Sequence, residues 1–153
     1  QEKSEKQEAD LKLLLEETIE PFEEVATQKK VTLKLHLEEG VTIRVNREQI
    51  AQLVSILTEN AAKYVNDGGK IVWRLTKTQH GAVLVVKNTT ENELPDTKRM
   101  FDRFYRSDSS RSSKTGGQGI GLSIAKKIVD SHKGSITAKA GDGMVTFRVS
   151  LPK

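Results

Sequence analysis

Apolar residues near the start of the chain recur at helical spacing in two stretches. The first follows Asp10, a residue type that caps helix N-termini, and Pro21 lies inside it and should divide it into two helices. The second follows Asn46, another capping residue, and runs to Tyr64. The predicted buried face of the first stretch comprises Leu11, Leu14, Leu15, Thr18, Phe22 and Val25.

Two further helices are predicted in the second half of the chain. One covers residues 96–106, and the other covers residues 119–132, where Gly134 provides a natural stop. Between them lies a polar loop, residues 107–117, with four serines, and we expect it to be mobile in the absence of a ligand.

Alternating apolar and polar residues predict six strands, and turn signals separate them. The strands cover residues 31–37, 41–45, 70–77, 82–87, 135–140 and 144–151. Helices and mostly antiparallel strands in this order indicate an α+β fold, a two-layer α/β sandwich with a mixed sheet packed on helices. Residues 1–9 are polar and are interpreted as a frayed tail, which leaves residues 10–153 as one domain.

Composition narrows the class of protein. The 153 residues include no cysteine, so there is neither a disulfide framework nor a thiolate metal site, and no apolar run reaches the ~20 residues that span a bilayer. The net charge of +4 permits nucleic-acid binding. The densest basic segment, residues 98–114, lies beside a glycine-rich stretch, however, so a local anion such as a nucleotide explains it better than a duplex does.

That glycine-rich stretch, TGGQGIGLSIAKKIV, contains Gly116, Gly117, Gly119 and Gly121 before a predicted helix. Glycines let the backbone approach a ligand closely, and a helix N-terminus offers free N–H groups, so the combination is typical of a phosphate site. It has neither the Walker ending nor the Rossmann spacing, because position 122 is Leu. The alternative is a surface loop that caps an ordinary helix.

The segment ENAAKY, at the end of the helix after Asn46, carries candidate phosphate and metal chemistry. Asn60 and Lys63 are three residues apart and share a helix face. An Asn oxygen suits Mg²⁺, a lysine supplies a point charge for phosphates, and the ring of Tyr64 can face adenine. The alternative is an amphipathic core helix that exposes an Asn and a Lys.

A second candidate segment is MFDRFYRSD, residues 100–108. Phe101 and Phe104 would anchor a lid over the nucleotide, and Arg106, or else Arg103, would contact its phosphates. The alternative is that both phenylalanines belong to the hydrophobic core.

The order and spacing of ENAAKY, Asn88, MFDRFYRSD, GGQGIGLSIAKKIV and HKG resemble the ATP-binding catalytic domain of sensor histidine kinases, within the gyrase and chaperone ATPase superfamily. The resemblance spans residues 10–153 and implies the Bergerat ATP-binding fold, a bacterial two-component system, and ATP with Mg²⁺ held by Asn60. It implies catalytic roles for Asn60, Lys63, Arg106 and Glu59. The nucleotide-binding residues would be Asn60, Lys63, Tyr64, Asn88, Phe101, Phe104, Arg103, Gly116, Gly117, Gly119, Ile120, Gly121 and Leu122.

The resemblance also implies partners and a location. The γ-phosphoryl of ATP would pass to a His on a separate helical hairpin of the parent kinase and then, indirectly, reach a response regulator. We expect a cytoplasmic domain with no nucleic-acid or membrane contact of its own, in a parent kinase anchored in the cell membrane. Residues 1–9 would be a remnant of the preceding hairpin.

The chain departs from the family pattern in two places. The family has Asp-x-Gly-x-Gly where this chain has NTTENELP, so Asn88 replaces the Asp that reads adenine. Replacing a charged acceptor by a neutral one should cost about 1 kcal/mol, or roughly five- to tenfold in affinity. Ile56 stands where the family commonly has Asn, and Glu59 either restores a carboxylate near the metal or is a solvated residue.

None of the three histidines, His36, His80 and His132, lies in a phosphoacceptor context, and each is interpreted as structural or surface. The chain is therefore expected to be a kinase catalytic fragment without its acceptor. The alternatives are a degenerate nucleotide-binding regulatory module without phosphotransfer and a basic nucleic-acid-binding domain.

Overall fold

The computed structural model describes residues 5–91, 97, 100–102 and 121–153. The predicted loop 107–117 lies outside these residues, as does most of the predicted helix 96–106. At positions 97 and 100–102 the chain forms turns and a bend, so the helix prediction is wrong for those positions.

Four helices are present in the described residues: α1 (Leu11–Ile19), α2 (Phe22–Gln28), α3 (Arg47–Tyr64) and α4 (Gly121–Ser131). Asp10 Oδ1 accepts a hydrogen bond from Leu13 N–H (3.3 Å), and Asn46 Oδ1 accepts one from Gln49 N–H (2.9 Å), so both predicted caps are confirmed. Pro21 stands at the N-terminus of α2 and separates it from α1. After this break the second helix buries a different face. Ala26 is buried and Val25 is 42% exposed, so the prediction that Val25 is buried is wrong.

Within the described residues, seven strands form two sheets. They are β1 (Gln7–Asp10), β2 (Thr32–Leu37), β3 (Thr42–Val45), β4 (Lys70–Thr78), β5 (Gly81–Thr89), β6 (Ser135–Gly141) and β7 (Met144–Pro152). The main sheet has the order β2-β4-β5-β7-β6, in which only β2 and β4 are parallel. Helices α3 and α4 pack together, and α3 contacts β5. The predicted two-layer α+β sandwich is confirmed.

Strand β1 shows that residues 7–9, predicted to be part of a frayed tail, belong to a sheet. Its residues pair antiparallel with β3, from Gln7 opposite Val45 to Asp10 opposite Thr42. Ala9 is 2% exposed and provides the one apolar contact of a polar strand. Pairing with β3, which the local sequence does not reveal, orders residues 7–9.

The two faces of the main sheet differ in character. The inner face carries the buried side chains of each strand, with Trp73 and Phe147 among the largest. On the outer face each strand contributes an exposed cation. The five cations lie in two adjacent rows of cross-strand neighbours. These are Lys34, Arg74, Lys87, Arg148 and Lys139. The outward positions of these five strands carry no Asp or Glu.

Helix α4 ends at Ser131, one residue before the predicted end at residue 132. Lys133 adopts the left-handed conformation (φ 60°), with Lys133 N–H bonded to the Asp130 carbonyl and Gly134 N–H bonded to the Val129 carbonyl. This is the Schellman pattern. Gly134 serves a different purpose, because a Cβ there would overlap the Ser150 carbonyl oxygen of β7. The glycine therefore permits close approach of the chain to the sheet.

Candidate functional site

The last turns of α3 place the residues of ENAAKY on its surface. Asn60, Lys63 and Tyr64 are half-buried and Glu59 is exposed. Lys63 Nζ lies 5.8 Å from the centroid of the Tyr64 ring, within the range of a cation–π contact. Lys63 and Tyr64 therefore present a cation and an aromatic ring side by side at the C-terminal end of the helix, as a phosphate and an adjacent base would require.

Asn88 is the polar residue that the fold buries at the end of β5. It is 1% exposed, lies on the inner, helix-bearing face of the sheet, and pairs with Ile71 and Val145 in the neighbouring strands. Its Nδ2 donates to the Thr89 carbonyl (3.0 Å), and no described residue donates to its Oδ1. A buried acceptor without a donor is costly in the absence of a ligand, so this oxygen is a strong candidate for ligand recognition.

The next residue, Thr89, joins β5 to the turn that follows α3. Its hydroxyl donates to Asn66 Oδ1 (2.7 Å) and accepts from Lys70 N–H (3.0 Å). A Cβ on Gly69 would overlap Thr89 Oγ1 and Asn66 Oδ1, so only glycine fits there. These contacts hold the end of β5, next to Asn88, against the chain that leaves Tyr64.

The start of α4 lies beside α3. A Cβ on Gly121 would be 3.5 Å from Ile56 Cγ2, one turn before Asn60. Leu122 is half-buried and packs against the core. The end of the glycine stretch and the Asn60 face of α3 are therefore close together. Ile56, which occupies a polar position of the family pattern, packs here against α4 as an apolar residue.

Phe101 belongs to the aromatic core. Its ring centroid lies 6.0 Å from that of Phe147, in an edge-to-face arrangement at 82°. The neighbouring Met100 is 4% exposed. The core interpretation therefore holds for Phe101, which is partly buried, and the contact ties the segment after residue 97 to β7. The other predicted site residues lie outside the described part of the chain, namely Arg103, Phe104, Arg106, Gly116, Gly117, Gly119 and Ile120.

Two buried polar contacts support the site and were not predicted. Trp73 Nε1 donates to Thr58 Oγ1 (3.0 Å), and the Thr58 hydroxyl in turn donates to the Val54 carbonyl (2.7 Å). Both side chains are fully buried. This pair fixes α3 against β4 one half-turn before Asn60. A lone Trp in a strand and a Thr within a helical apolar stripe are the sequence signals that could have suggested it.

The second contact involves His132, which the sequence suggested was structural or surface and which is 5% exposed. Its Nε2 accepts from Asn46 N–H (3.1 Å), so Nδ1 carries the proton and donates to the Ile128 carbonyl (2.9 Å). Burial is the largest influence on its pKa and lowers it; the Ile128 hydrogen bond acts in the opposite direction, and nearby Lys6 adds a smaller lowering. Neutral His132 thus links the start of α3 to the end of α4.

The part of the chain that the structure describes lacks two features that would indicate a metal centre or a membrane span. Among these residues there is no group of three or more His, Cys, Asp and Glu side chains placed to hold a metal ion. No helix of the described part of the chain has the length and apolar character needed to cross a bilayer.

The chain belongs to the family of histidine kinase-, DNA gyrase B- and HSP90-like ATPases, which it matches over residues 45–153. The resemblance drawn from the sequence is thereby confirmed. The match begins just before Asn46 and includes α3, the main strands from β4 onward and α4.

Known proteins that this chain resembles are sensor kinases. It is 34% identical to the sensor protein VanS of Enterococcus faecium, over 92% of this chain and 36% of that protein. It is 37% identical to the sensor histidine kinase RppB of Synechocystis, over 91% of this chain and 31% of that protein. The nucleotide-free catalytic domain of histidine kinase ThkA superposes with a TM-score of 0.86 at 25% identity, covering 97% of this chain and 96% of that one. The chain thus spans about a third of the length of these curated relatives.

Proposed function

We propose that this domain binds Mg-ATP between α3 and the inner face of the sheet and passes the γ-phosphoryl to a histidine on a separate helical hairpin of its parent kinase. The single observation that carries the ATP part is the buried Oδ1 of Asn88, to which no residue in the described part of the chain donates. It occupies the position from which the family reads the amino group of adenine, and an amide oxygen accepts a hydrogen bond from that group.

The residues of this chain have separate tasks in that proposal. Asn88 orients the base, Tyr64 and the adjacent Lys63 flank the nucleotide, and Lys63 neutralises phosphate charge. Phosphoryl transfer depends chiefly on such positioning and charge neutralisation. Arg106, with Arg103 as the second candidate, and the amides of the glycine stretch would add further charge and donors for the phosphates.

The donor set at the end of α3 suits magnesium. Half-buried Asn60 offers a hard oxygen, and Glu59, adjacent and exposed, offers a carboxylate. Magnesium, when bound, would supply positive charge that neutralises the phosphates. The relevant property of Asn60 is its place one turn before Lys63, which keeps a metal ligand and a phosphate-binding cation on the same helix face.

The acceptor histidine is proposed to reside outside this chain. Two observations support this proposal: His132 is engaged with Asn46 N–H and the Ile128 carbonyl, and neither His36 nor His80 lies in the His-Glu/Asp-rich sequence typical of the family's acceptor. The phosphoryl group would pass onward to a response regulator. Histidine kinase ThkA is known in a complex with the response regulator protein TrrA, and its structure covers 97% of this chain. We also propose that the parent kinase is anchored in the membrane with this domain in the cytoplasm.

The second candidate function is a nucleotide-binding regulatory module without phosphotransfer, and the altered segment NTTENELP, which begins at Asn88 in β5, favours it. Labelled ATP, this chain and the purified acceptor hairpin of the parent kinase distinguish the two functions. An acid-labile phosphohistidine on the hairpin is the expected product. Tight ATP binding with no labelled hairpin would support the regulatory module instead.

The binding role of Asn88 has its own test. Asn88→Leu should abolish measurable ATP binding by titration calorimetry with magnesium, because a buried polar partner for adenine is lost. A variant that keeps both the ATP affinity and the preference for ATP over GTP would show that adenine is read elsewhere.

A further inference from the structure

The hydroxyl of Thr89 lies where two parts of the proposed nucleotide site meet. Backbone pairing between β4 and β5 ends at Ile71 opposite Asn88. Beyond that pair, the Lys70 N–H donates to Thr89 Oγ1 (3.0 Å) instead of to a backbone carbonyl of β5. The side chain of Thr89 therefore extends the strand pairing by one residue past Asn88.

The same hydroxyl has a second partner on the other side. It donates to Asn66 Oδ1 (2.7 Å), and Asn66 lies two residues after Tyr64, the last residue of α3. The Asn66 carbonyl also accepts from Gly69 N–H (2.9 Å), which closes the turn around the pair. Because Gly69 leaves no space for a Cβ beside Thr89 Oγ1, the turn is shaped around this hydrogen bond.

The main chain of Thr89 governs the carboxamide of Asn88. The Thr89 carbonyl accepts from Asn88 Nδ2 (3.0 Å), which leaves Oδ1 as the group without a donor. A carboxamide turned by half a revolution would present its NH₂ instead, and that group suits the carbonyl of guanine rather than the amino group of adenine. The orientation of this one amide thus determines which base is accepted.

We propose that Thr89 and Asn66 are positioning residues that hold the Asn88 carboxamide with its oxygen toward the base and so set the preference for adenine over guanine. This inference rests on the proposed function. Removing the hydroxyl leaves Lys70 N–H and Asn66 Oδ1 without their partner. It thereby loosens the β4 side of the peptide unit that holds the amide, while Thr90 N–H stays bonded to the Gly143 carbonyl on the β7 side (2.8 Å). In this inference both residues act through the Asn88 carboxamide, which the Thr89 carbonyl holds, and not by contact with the nucleotide.

The test compares Thr89→Val, which has nearly the same shape but no hydroxyl, with Thr89→Ser, which keeps the hydroxyl. Affinities for Mg-ATP and Mg-GTP are measured by titration calorimetry for each. We expect the ratio of ATP to GTP affinity to fall about five- to tenfold in Thr89→Val, equivalent to loss of one hydrogen bond. Thr89→Ser should stay within about twofold of the parent ratio, since its hydroxyl can make both contacts.

Two further variants make the outcome specific. Thr76→Val removes a hydroxyl from the exposed outer face of β4 and should leave the ratio unchanged. Asn66→Ala removes the acceptor of the Thr89 hydroxyl and should lower the ratio as Thr89→Val does. Thermal melting of each variant shows whether it is folded. If Thr89→Val does not fold, the ratio of ATP to GTP affinity in Asn66→Ala decides the question.

The possible results separate this inference from the function on which it rests. A folded Thr89→Val or Asn66→Ala with the parent ratio would overturn the positioning role while leaving Asn88 as the adenine reader. An equal loss in Thr89→Ser and Thr89→Val would overturn it as well, because the hydroxyl would then not be the cause. A parent chain with no preference for ATP over GTP would refute both adenine reading by Asn88 and this inference, while the transfer of phosphate to a histidine would still be decided by the labelled-hairpin experiment.

Discussion

Replacing His132 by leucine should destabilise the domain and remove a component of its pH dependence. In the parent, His132 joins the N-terminus of α3 to the C-terminus of α4 through Asn46 N–H and the Ile128 carbonyl. The Ile128 carbonyl keeps other donors in the variant, since the Ser131 hydroxyl (2.8 Å) and the His132 backbone N–H (3.2 Å) also reach it. Asn46 N–H loses its partner, whereas the Ser131 hydroxyl loses its 3.3 Å contact with Nδ1 but keeps its bond to the Ile128 carbonyl.

The expected decrease in the free energy of unfolding follows from the loss of the hydrogen bond to Asn46 N–H. One partly buried donor left unpaired costs about 1–2 kcal/mol. For a chain of this length, that corresponds to a melting temperature lower by roughly 2–8 °C. His36→Leu is the matched control, because His36 is exposed on the outer face of the sheet, and it should change stability by less than about 0.5 kcal/mol.

The pH dependence has a definite sign. Burial lowers the pKa of His132 from its ordinary value of 6.5, so the folded state favours the neutral ring. The stabilisation is fully present above pH 6.5 and is lost as the pH falls from 6.5 toward the folded pKa, because a proton on Nε2 would face Asn46 N–H. The stability gap between parent and His132→Leu should therefore shrink on acidification. Denaturant unfolding between about pH 8 and about pH 5 measures it, and a gap that stays constant would refute the reasoning.

Three other changes test the site and its support. Asn60→Ala should abolish the magnesium dependence of nucleotide binding with little change in melting temperature; equal ATP affinity in variant and parent, both with magnesium, would contradict the metal role. Asn88→Asp should tighten ATP binding by at most about tenfold, since a charged acceptor gains about 1 kcal/mol against its desolvation cost, while GTP should gain nothing in the same titration. Thr58→Val should lower stability by about 1–3 kcal/mol in denaturant unfolding, because Trp73 Nε1 would be buried without an acceptor; an unchanged midpoint would show that the pair contributes nothing.

Local signals in the sequence predicted most of the helices and strands. Asp10, Pro21 and Asn46 each act within three residues of their own position, so their effects can be derived without knowing the fold. Strand β1 could not be predicted because its four residues are mostly polar and owe their order to β3. Lys133 likewise takes the left-handed position that composition assigned to Gly134.

In the candidate site too, local sequence patterns predict some features, and contacts between distant residues determine the others. The positions of Asn60, Lys63 and Tyr64 follow from helical periodicity alone. Asn88 follows from the family pattern, since the predicted strand ends at residue 87, whereas β5 continues to Thr89. The groups that hold them in place join segments far apart in sequence, such as Thr89 with Asn66 and His132 with Asn46. A hydrogen bond between residues 23 or 86 positions apart produces no periodic pattern in the sequence, so the sequence alone does not predict it.

The cations on the outer face of the main sheet affect how two copies of the domain meet in solution. Neighbouring strands place them on the diagonal, about 7–8 Å apart, so the open face carries a continuous band of one sign. Two domains approaching face to face would set this band against itself, which opposes the stacking of exposed sheet surfaces. The repulsion extends about 10 Å at 0.1 M salt and shortens as salt is added. The colloidal behaviour of the domain should accordingly depend on ionic strength.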